Sequence, residues 1–444
     1  MMRTAKAALI VIFSAAAVTA LNGCGSNHAP TTLTIATVNN GDMINMKKLA
    51  PEFERQNPDI RLKWVVLEEN VLRQRVTTDV ATGAGQFDVV TIGNYEVPIW
   101  AKQKWLKPIS NIPPNYDVAD LLEPVRNAVT YQGQIFALPF YAESAMTYYR
   151  TDLFAKSGLQ MPEHPTYGQI AQFAHRLTDR PNQVYGICLR GKPGWGENIA
   201  SITSIVHAFG GRWFDMNWHA TLDTPEWHRA ITYYSDLLKN DGPPGATSNG
   251  FNENLVLFAG GHCAIWIDST VAATLLYSGE HSRVAGTISY APMPLEKDID
   301  APTWLWSWNL AVPASSKHAE AAMRFATWAT SKDYIGLVAR SEGWIAVPPG
   351  TRHSTYESAE YKRAAPFAAF VRNAITTAVP TDSGTATRPY RSAEFVAISA
   401  FQGLGTQVGQ IMAATLAGQT GVDAALRDAQ KVAERSIQQA GNSE

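Results

Sequence analysis

The residues able to do chemistry fall in a few clusters where carboxylates, amides and guanidinium groups interleave with large aromatics. Asn94, Tyr95 and Glu96 follow an apolar run, and Glu143 is flanked by Tyr141, Ala142 and Ser144. Arg190, Lys192, Trp195, Glu197 and Asn198 share one stretch rich in Gly and Pro, and Asp268 closes Ala264-Ile265-Trp266-Ile267. Such clusters set charged and neutral hydrogen-bonding groups beside flat apolar faces, the means of gripping a small polar molecule without covalent chemistry. The chain carries no GxSxG, HExxH or P-loop, and Gly403 to Gly409 lacks the spacing of a dinucleotide fingerprint. Its ten His are scattered and no CxxC is present, so neither a metal nor another cofactor is expected.

These clusters need elements to aim them, and the hydrophobic periodicity supplies an α/β pattern. Leu33 to Val38 reads as a strand, and Met46, Leu49, Ala50 and Phe53 then recur at helical spacing up to Asn57-Pro58. Ile60, Leu62, Trp64 and Val66 alternate as a second strand. Val71, Leu72, Val76 and Val80 form a second helical stripe, and Asp88 to Gly93 a third strand. A βαβαβ order predicts a parallel sheet, whose ligands sit at the carboxyl ends of its strands. Strand-like runs recur at 135–140, 184–189, 263–267, 287–291 and 305–312, and helices are predicted from Thr224-Pro225, over 318–331 and from Thr420.

The candidates therefore lie in loops after strands. Asn39 and Asn40 end the first strand and serve either a ligand or the N-cap of the next helix. Glu68 and Glu69 begin a helix, where the macrodipole is a sufficient reason for acids. Trp304, Trp306 and Trp308 alternate and share one strand face, either as a packed stripe or as part of a cleft. Trp213, after Gly210-Gly211-Arg212, either meets the cleft or packs under a loop, and Trp344, beside Gly343, is the remaining cleft candidate. Asp268 either accepts from a ligand or caps the segment that follows.

At 444 residues the chain is long enough for two or three packed units. Its 37 basic and 39 acidic residues leave a formal charge of -2, which recruits no polyanion, so nucleic acid is not an expected partner. Arg3 and Lys6 precede an uncharged run from Ala7 to Leu21 that reads as an export signal, too short for a comfortable span. It ends in Leu21-Asn22-Gly23-Cys24, similar to a lipobox, with Asn22 where a small residue is usual; either Cys24 is lipidated or the signal is cleaved nearby. Both outcomes put the mature chain outside the cytoplasm. Cys188 and Cys263 then remain as a disulfide, stabilising by about 4 kcal/mol through the loop it closes, or as two buried thiols.

Four segments, in order, resemble the extracellular solute-binding protein family that includes maltose- and polyol-binding proteins. They are DVVTIGNYEVPIWAKQKWL from Asp88, YQGQIFALPFYAESAMTYYRTDL from Tyr131, FAGGHCAIWID from Phe258 and GWIAVPPGTR from Gly343. The 95–100 loop, the 190–198 loop and Trp304 to Trp308 look most like its sorbitol/mannitol-binding branch. The resemblance implies two α/β lobes joined by three crossings, near Pro139, Ala291 and Pro313. Residues 1–24 would be the signal, 31–139 plus 290–312 the first lobe, and 140–289 plus 313–440 the second. A sugar or sugar alcohol would sit between the lobes and be handed, by a monomeric protein with no enzymatic activity, to the permease of an ABC importer. The candidate ligand set is Asn39, Asn40, Asn94, Tyr95, Glu143, Arg190, Trp195, Glu197, Trp213, Asp268, Trp306, Trp308 and Trp344, and the resemblance implies a ligand-contacting acid at Glu143. The competing functions are an exported carbohydrate-active enzyme drawing an acid/base pair from Glu143, Glu197 and Asp268, and a binder of an oligosaccharide rather than a polyol.

Overall fold

The computed structural model describes residues 29–296, 304–378, 387–390 and 394–441; the expected signal and Cys24 lie outside them. The first strand, β1 (Thr31–Val38), leads into α1 (Gly41–Gln56). Asn40 caps this helix by accepting from the Met43 amide at 3.1 Å, and the helix stops before Asn57-Pro58 as the sequence predicts. There follow β2 (Ile60–Leu67), α2 (Glu69–Thr82) and β3 (Val89–Gly93). Both β2 and β3 pair parallel with β1, so the βαβαβ pattern yields the parallel sheet it predicts.

Two antiparallel strands complete this sheet, β4 (Ala137–Glu143) and β9 (Trp306–Ala311), in the order β2-β1-β3-β9-β4. The second sheet runs β8-β5-β7-β6, from β5 (Ala145–Arg150), β6 (Tyr185–Cys188), β7 (Cys263–Ser269) and β8 (Ile288–Ala291). The chain passes from one sheet to the other through Ser144 alone. β5 escapes the periodicity analysis for that reason: one apolar run of 137–150 supplies a strand to each sheet with no turn residue between. Cys188 and Cys263 are disulfide-bonded across adjacent strands, Cα to Cα 5.9 Å.

The expected crossing near Pro313 is displaced. Helix α3 (Ala319–Ala329) and helix α4 (Lys332–Ser341) pack on the first sheet, with Phe325 edge-on to Phe53 at 5.2 Å and to Trp64 at 5.9 Å. The GWIAVPPGTR segment stays on that side. Gly350 has φ +83°, and a Cβ there would stand 2.0 Å from the Ala142 carbonyl oxygen of β4, so only glycine fits. Arg352, fully buried, donates to the carbonyls of Tyr116 and Thr330. Only beyond residue 378 does the chain return to the second sheet's helices. There α5 (Phe401–Leu416) receives a bond from Asn198 at the Gly409 carbonyl, and Gln430 of α6 (Val422–Gly441) bonds the 220–222 turn. Helices α3 and α4 thus lie with the first sheet, while Phe367 and Phe370 reach across to Tyr277 and Tyr290 on the second sheet's side, at 5.4 and 5.1 Å.

Candidate functional site

A cavity of about 410 Å³ opens between the carboxyl ends of the two sheets, within the range of small-molecule sites. The first sheet's side brings Asn39 and Asn40 after β1, Glu68 and Glu69 after β2, Tyr141 and Glu143 at the end of β4, and the tryptophans of β9. The second brings Arg190, Lys192, Trp195 and Glu197 from the loop after β6, with Phe251 and Asn252 at the start of the helix Phe251–Ala259. Trp304, Trp306 and Trp308 all line it, as their alternation on one face requires.

Gly93 makes room for this stripe. A Cβ there would lie 2.2 Å from the Trp306 ring, so any larger residue would push that indole into the cavity. The loop after β6 is fixed by two charges. Arg190 forms a bidentate pair with Asp268, Nε to Oδ2 at 2.9 Å and Nη2 to Oδ1 at 2.5 Å, and also donates to the Gly196 carbonyl at 2.9 Å. Arg73 of α2 reaches across to lie 4.0 Å from the Trp195 ring centroid.

The cavity's carboxyls are shifted by their surroundings. Glu143 is pushed up to about 8, chiefly by burial, against the opposing effect of the Ser269 hydroxyl that donates to it. Glu197 is also raised to about 8, by burial and by the charge of Glu69. Glu394 is raised too, by burial and then by Glu143. The raised carboxyls of Glu143 and Glu197 hold a proton more readily than free ones, and a protonated carboxyl can both donate and accept. The buried indole N–H of Trp304 meets no acceptor among the described residues, which leaves one more donor at the cavity wall.

The two sides are also joined directly. Lys192 bonds Glu68 at 2.8 Å, Asn70 donates to the Pro193 carbonyl at 3.2 Å, and Asn252 donates to the Asn39 carbonyl at 3.0 Å. The structure is therefore a closed form, its mouth held by a few polar contacts.

A cavity at the strand ends between two α/β layers, closed by contacts that cross it, is the arrangement the four sequence segments imply. The family model of the bacterial extracellular solute-binding protein matches residues 40–335. The chain belongs to that family. It is 52% identical to the mannitol-binding protein of Pseudomonas aeruginosa over 92% of this chain and 94% of that protein. An ABC transporter solute-binding protein of Agrobacterium vitis S4, solved with bound D-mannitol, is 55% identical and superposes with a TM-score of 0.91 over 93% of this chain and 99% of that one. A ribitol complex of a solute-binding protein from Agrobacterium radiobacter K84 shares the fold at 23% identity, TM-score 0.80, over 92% and 99% of the two chains.

Of the residues expected at the site, Asn39, Asn40, Glu143, Arg190, Trp195, Glu197, Trp306 and Trp308 line the cavity, and the other five do not. Asn94 clamps β9, donating to the Leu305 carbonyl at 3.1 Å and accepting from the Ser307 amide at 3.2 Å. Tyr95 turns inward behind Trp195, with ring centroids 5.1 Å apart and its hydroxyl donating to the Ile398 carbonyl. Trp213 is fully buried, crossed by Trp227 and Phe401, with its indole N–H on Thr203 at 3.1 Å. Asp268 is consumed by Arg190, the Trp266 indole and the Ser269 amide. Trp344 sits half-buried in the turn Trp344–Ala346, away from the cavity.

Sequence reasoning missed Glu69, Arg73, Phe251 and Glu394. Glu69 was accounted for by the macrodipole alone, whereas it both begins α2 and holds Arg73 at 2.8 Å. An acid and an Arg four residues apart, just after a strand that ends at the cleft, was the available signal. Phe251 opens a helix, Phe251–Ala259, and Glu394 lies in a loop, and neither has a periodicity that points to the cavity.

Proposed function

We propose that the chain is the capture component of an ABC importer, closing on an open-chain polyol the size of a hexitol and presenting the closed form to the permease. The observation that carries this function is the cavity itself: one small closed space whose wall alternates carboxyls and amides with indoles. A hexitol offers six hydroxyls and a thin C–H backbone, and this wall supplies partners for both. The mannitol-named relative and the mannitol-bound neighbour, each more than half identical, support a hexitol in particular. Micromolar capture corresponds to about -8 kcal/mol, which several charge-assisted bonds supply once ordering costs are met.

The same proposal takes the first lobe as residues 31–143 and 304–377 and the second as 145–296 and 401–441. Cys24 would carry a lipid, holding a monomeric protein at the outer face of the cytoplasmic membrane, and the site would bind without converting its ligand. Glu143 supports that last point, since the Ser269 hydroxyl already engages it in the closed form.

The test begins with protein stripped of ligand by unfolding and refolding, then titrated calorimetrically with hexitols, pentitols, monosaccharides and short oligosaccharides. A hexitol is expected to bind at micromolar concentration or tighter and to be recovered unaltered. Absence of heat with every polyol and sugar overturns the substrate class; recovery of altered ligand overturns the binding-only role.

A further inference from the structure

Four of the cavity's aromatic rings already carry a cation. The Arg73 guanidinium lies 4.0 Å from the centroid of Trp195, 4.7 Å from that of Trp308 and 4.9 Å from that of Trp306. It is pinned there by Glu69, which accepts from Nε at 3.0 Å and Nη2 at 2.8 Å, and by Glu96, which accepts from Nη1 at 3.0 Å. Tyr95, Phe395 and Phe401 surround the rest of Trp195, and Trp306 fits against Gly93. Phe251, on the opposite wall, has the Arg190 guanidinium 5.3 Å over its ring, and Asp268 fixes that cation in turn.

This arrangement has a consequence for the shape of the ligand. A pyranose is gripped by laying the C–H face of its ring flat on an aromatic face, and guanidinium groups lie over Trp195, Trp306, Trp308 and Phe251, four of the seven aromatics that line the cavity. An open-chain polyol has no such face. Its hydroxyls project all round a thin chain and need donors and acceptors rather than a platform. Arg73 has five N–H bonds, of which three go to Glu69 and Glu96, so two remain for hydroxyls. We infer that Arg73, by capping Trp195, Trp306 and Trp308, makes the site select open-chain polyols over ring sugars. The inference rests on the polyol function proposed above and names the device that sets its substrate class.

The planar guanidinium is essential to this role, because a lysine keeps the charge but covers no ring and cannot hold both carboxylates in one plane. The test compares the full-length protein with Arg73→Lys and Glu96→Gln, the second loosening the anchor of Arg73 without removing it. The probes are D-mannitol and methyl α-D-mannopyranoside, which is locked as a ring. Wild type is expected to prefer the open chain by about a hundredfold or more, and each variant to lose about tenfold of that preference. Melting temperatures report whether each variant is folded; if Arg73→Lys is not, the wild-type ratio and Glu96→Gln still decide. Wild-type binding of the glycoside within about tenfold of mannitol overturns the inference, and so does an equal loss of both ligands in the folded variants. A wild type that binds neither probe nor any other polyol overturns the polyol function itself, an outcome distinct from mannitol binding with an unchanged ratio.

Discussion

At the scale of single residues, two cavity groups named by the sequence behave differently once their surroundings are known. Glu143 is buried with its proton retained, its acceptor engaged by Ser269 and its pKa near 8. Glu143→Gln keeps that shape and neutrality, so the melting temperature of the unliganded protein at neutral pH should hold or rise slightly. Hexitol affinity should fall about tenfold, or ~1.4 kcal/mol, because an amide cannot become the charged acceptor that polyol hydroxyls favour. Unchanged affinity would remove Glu143 from the ligand's contacts. Trp195 is the opposite case. Only 4% exposed and wedged among Tyr95, Phe401 and Arg73, it supports the wall as much as it forms it. Trp195→Ala should cost about 3 to 5 kcal/mol of stability as well as affinity, read as a drop in melting temperature without ligand. An unshifted melting curve would show that Trp195 packs little and serves the ligand alone. The sequence identified both residues but not their depth. A carboxylate at a strand end looks alike whether it meets the cavity, as Glu143 does, or a guanidinium one layer back, as Asp268 does.

At the scale of elements, the sequence spoke clearly where one helix or strand buries one stripe. The βαβαβ opening was readable because α1 and the first three strands each show their own period. Legibility failed where the decisive partner is distant along the chain. The polar face of α2 carries Glu69 and Arg73 at the spacing of an ordinary solvated pair, and only the loop after β6, folded over it, turns that face into cavity wall. Lobe membership of α3 and α4 was hidden for the same reason, since an amphipathic helix does not specify which sheet it covers. The contacts that α2 and that loop make across the mouth carry a prediction. Glu68 caps α2 and also holds Lys192 at 2.8 Å, with side-chain exposures of 40% and 23%. Partly exposed pairs contribute about 0.2–1 kcal/mol, so Glu68→Gln should weaken ligand binding by up to about fivefold. The loss should fall on the dissociation rate, because the pair forms only after the lobes meet. Stopped-flow release at rising salt checks this: wild type should accelerate towards the variant, whose own rate stays nearly constant. Identical salt responses would show that the pair does not hold the mouth shut.

At the scale of the whole molecule, packing two lobes face to face buries acids that water would otherwise keep ionised. Glu143 and Glu197 rise to about 8 and Glu96 to about 7, in each case chiefly through desolvation, from an ordinary 4.5. The folded closed state therefore keeps protons that the unfolded chain releases between about pH 4.5 and 8, and stability must fall as pH rises across that window. Surface acids run the other way. Glu52, lowered to about 2 by its bonds to Arg55 and Gln56, and Asp59, lowered by Arg324, contribute at neutral pH and lose that contribution only as the solution becomes strongly acidic. Between those limits the buried groups dominate, so for as long as its lobes stay closed the protein should melt higher near pH 5.5 than near pH 8.5, the reverse of a protein whose acids are mostly paired at its surface. Groups facing Glu143 bear on the slope: Arg190 opposes its rise, while Asp268 and Glu69 reinforce it. Glu143→Gln removes one of the titrating protons and should flatten the trend without abolishing it, since Glu197 and Glu96 remain. Melting curves of wild type and variant across that pH range decide the matter, and a wild-type melting temperature that is level or rising towards pH 8.5 would show that water reaches these carboxyls before the chain unfolds, with the lobes already apart in the absence of ligand.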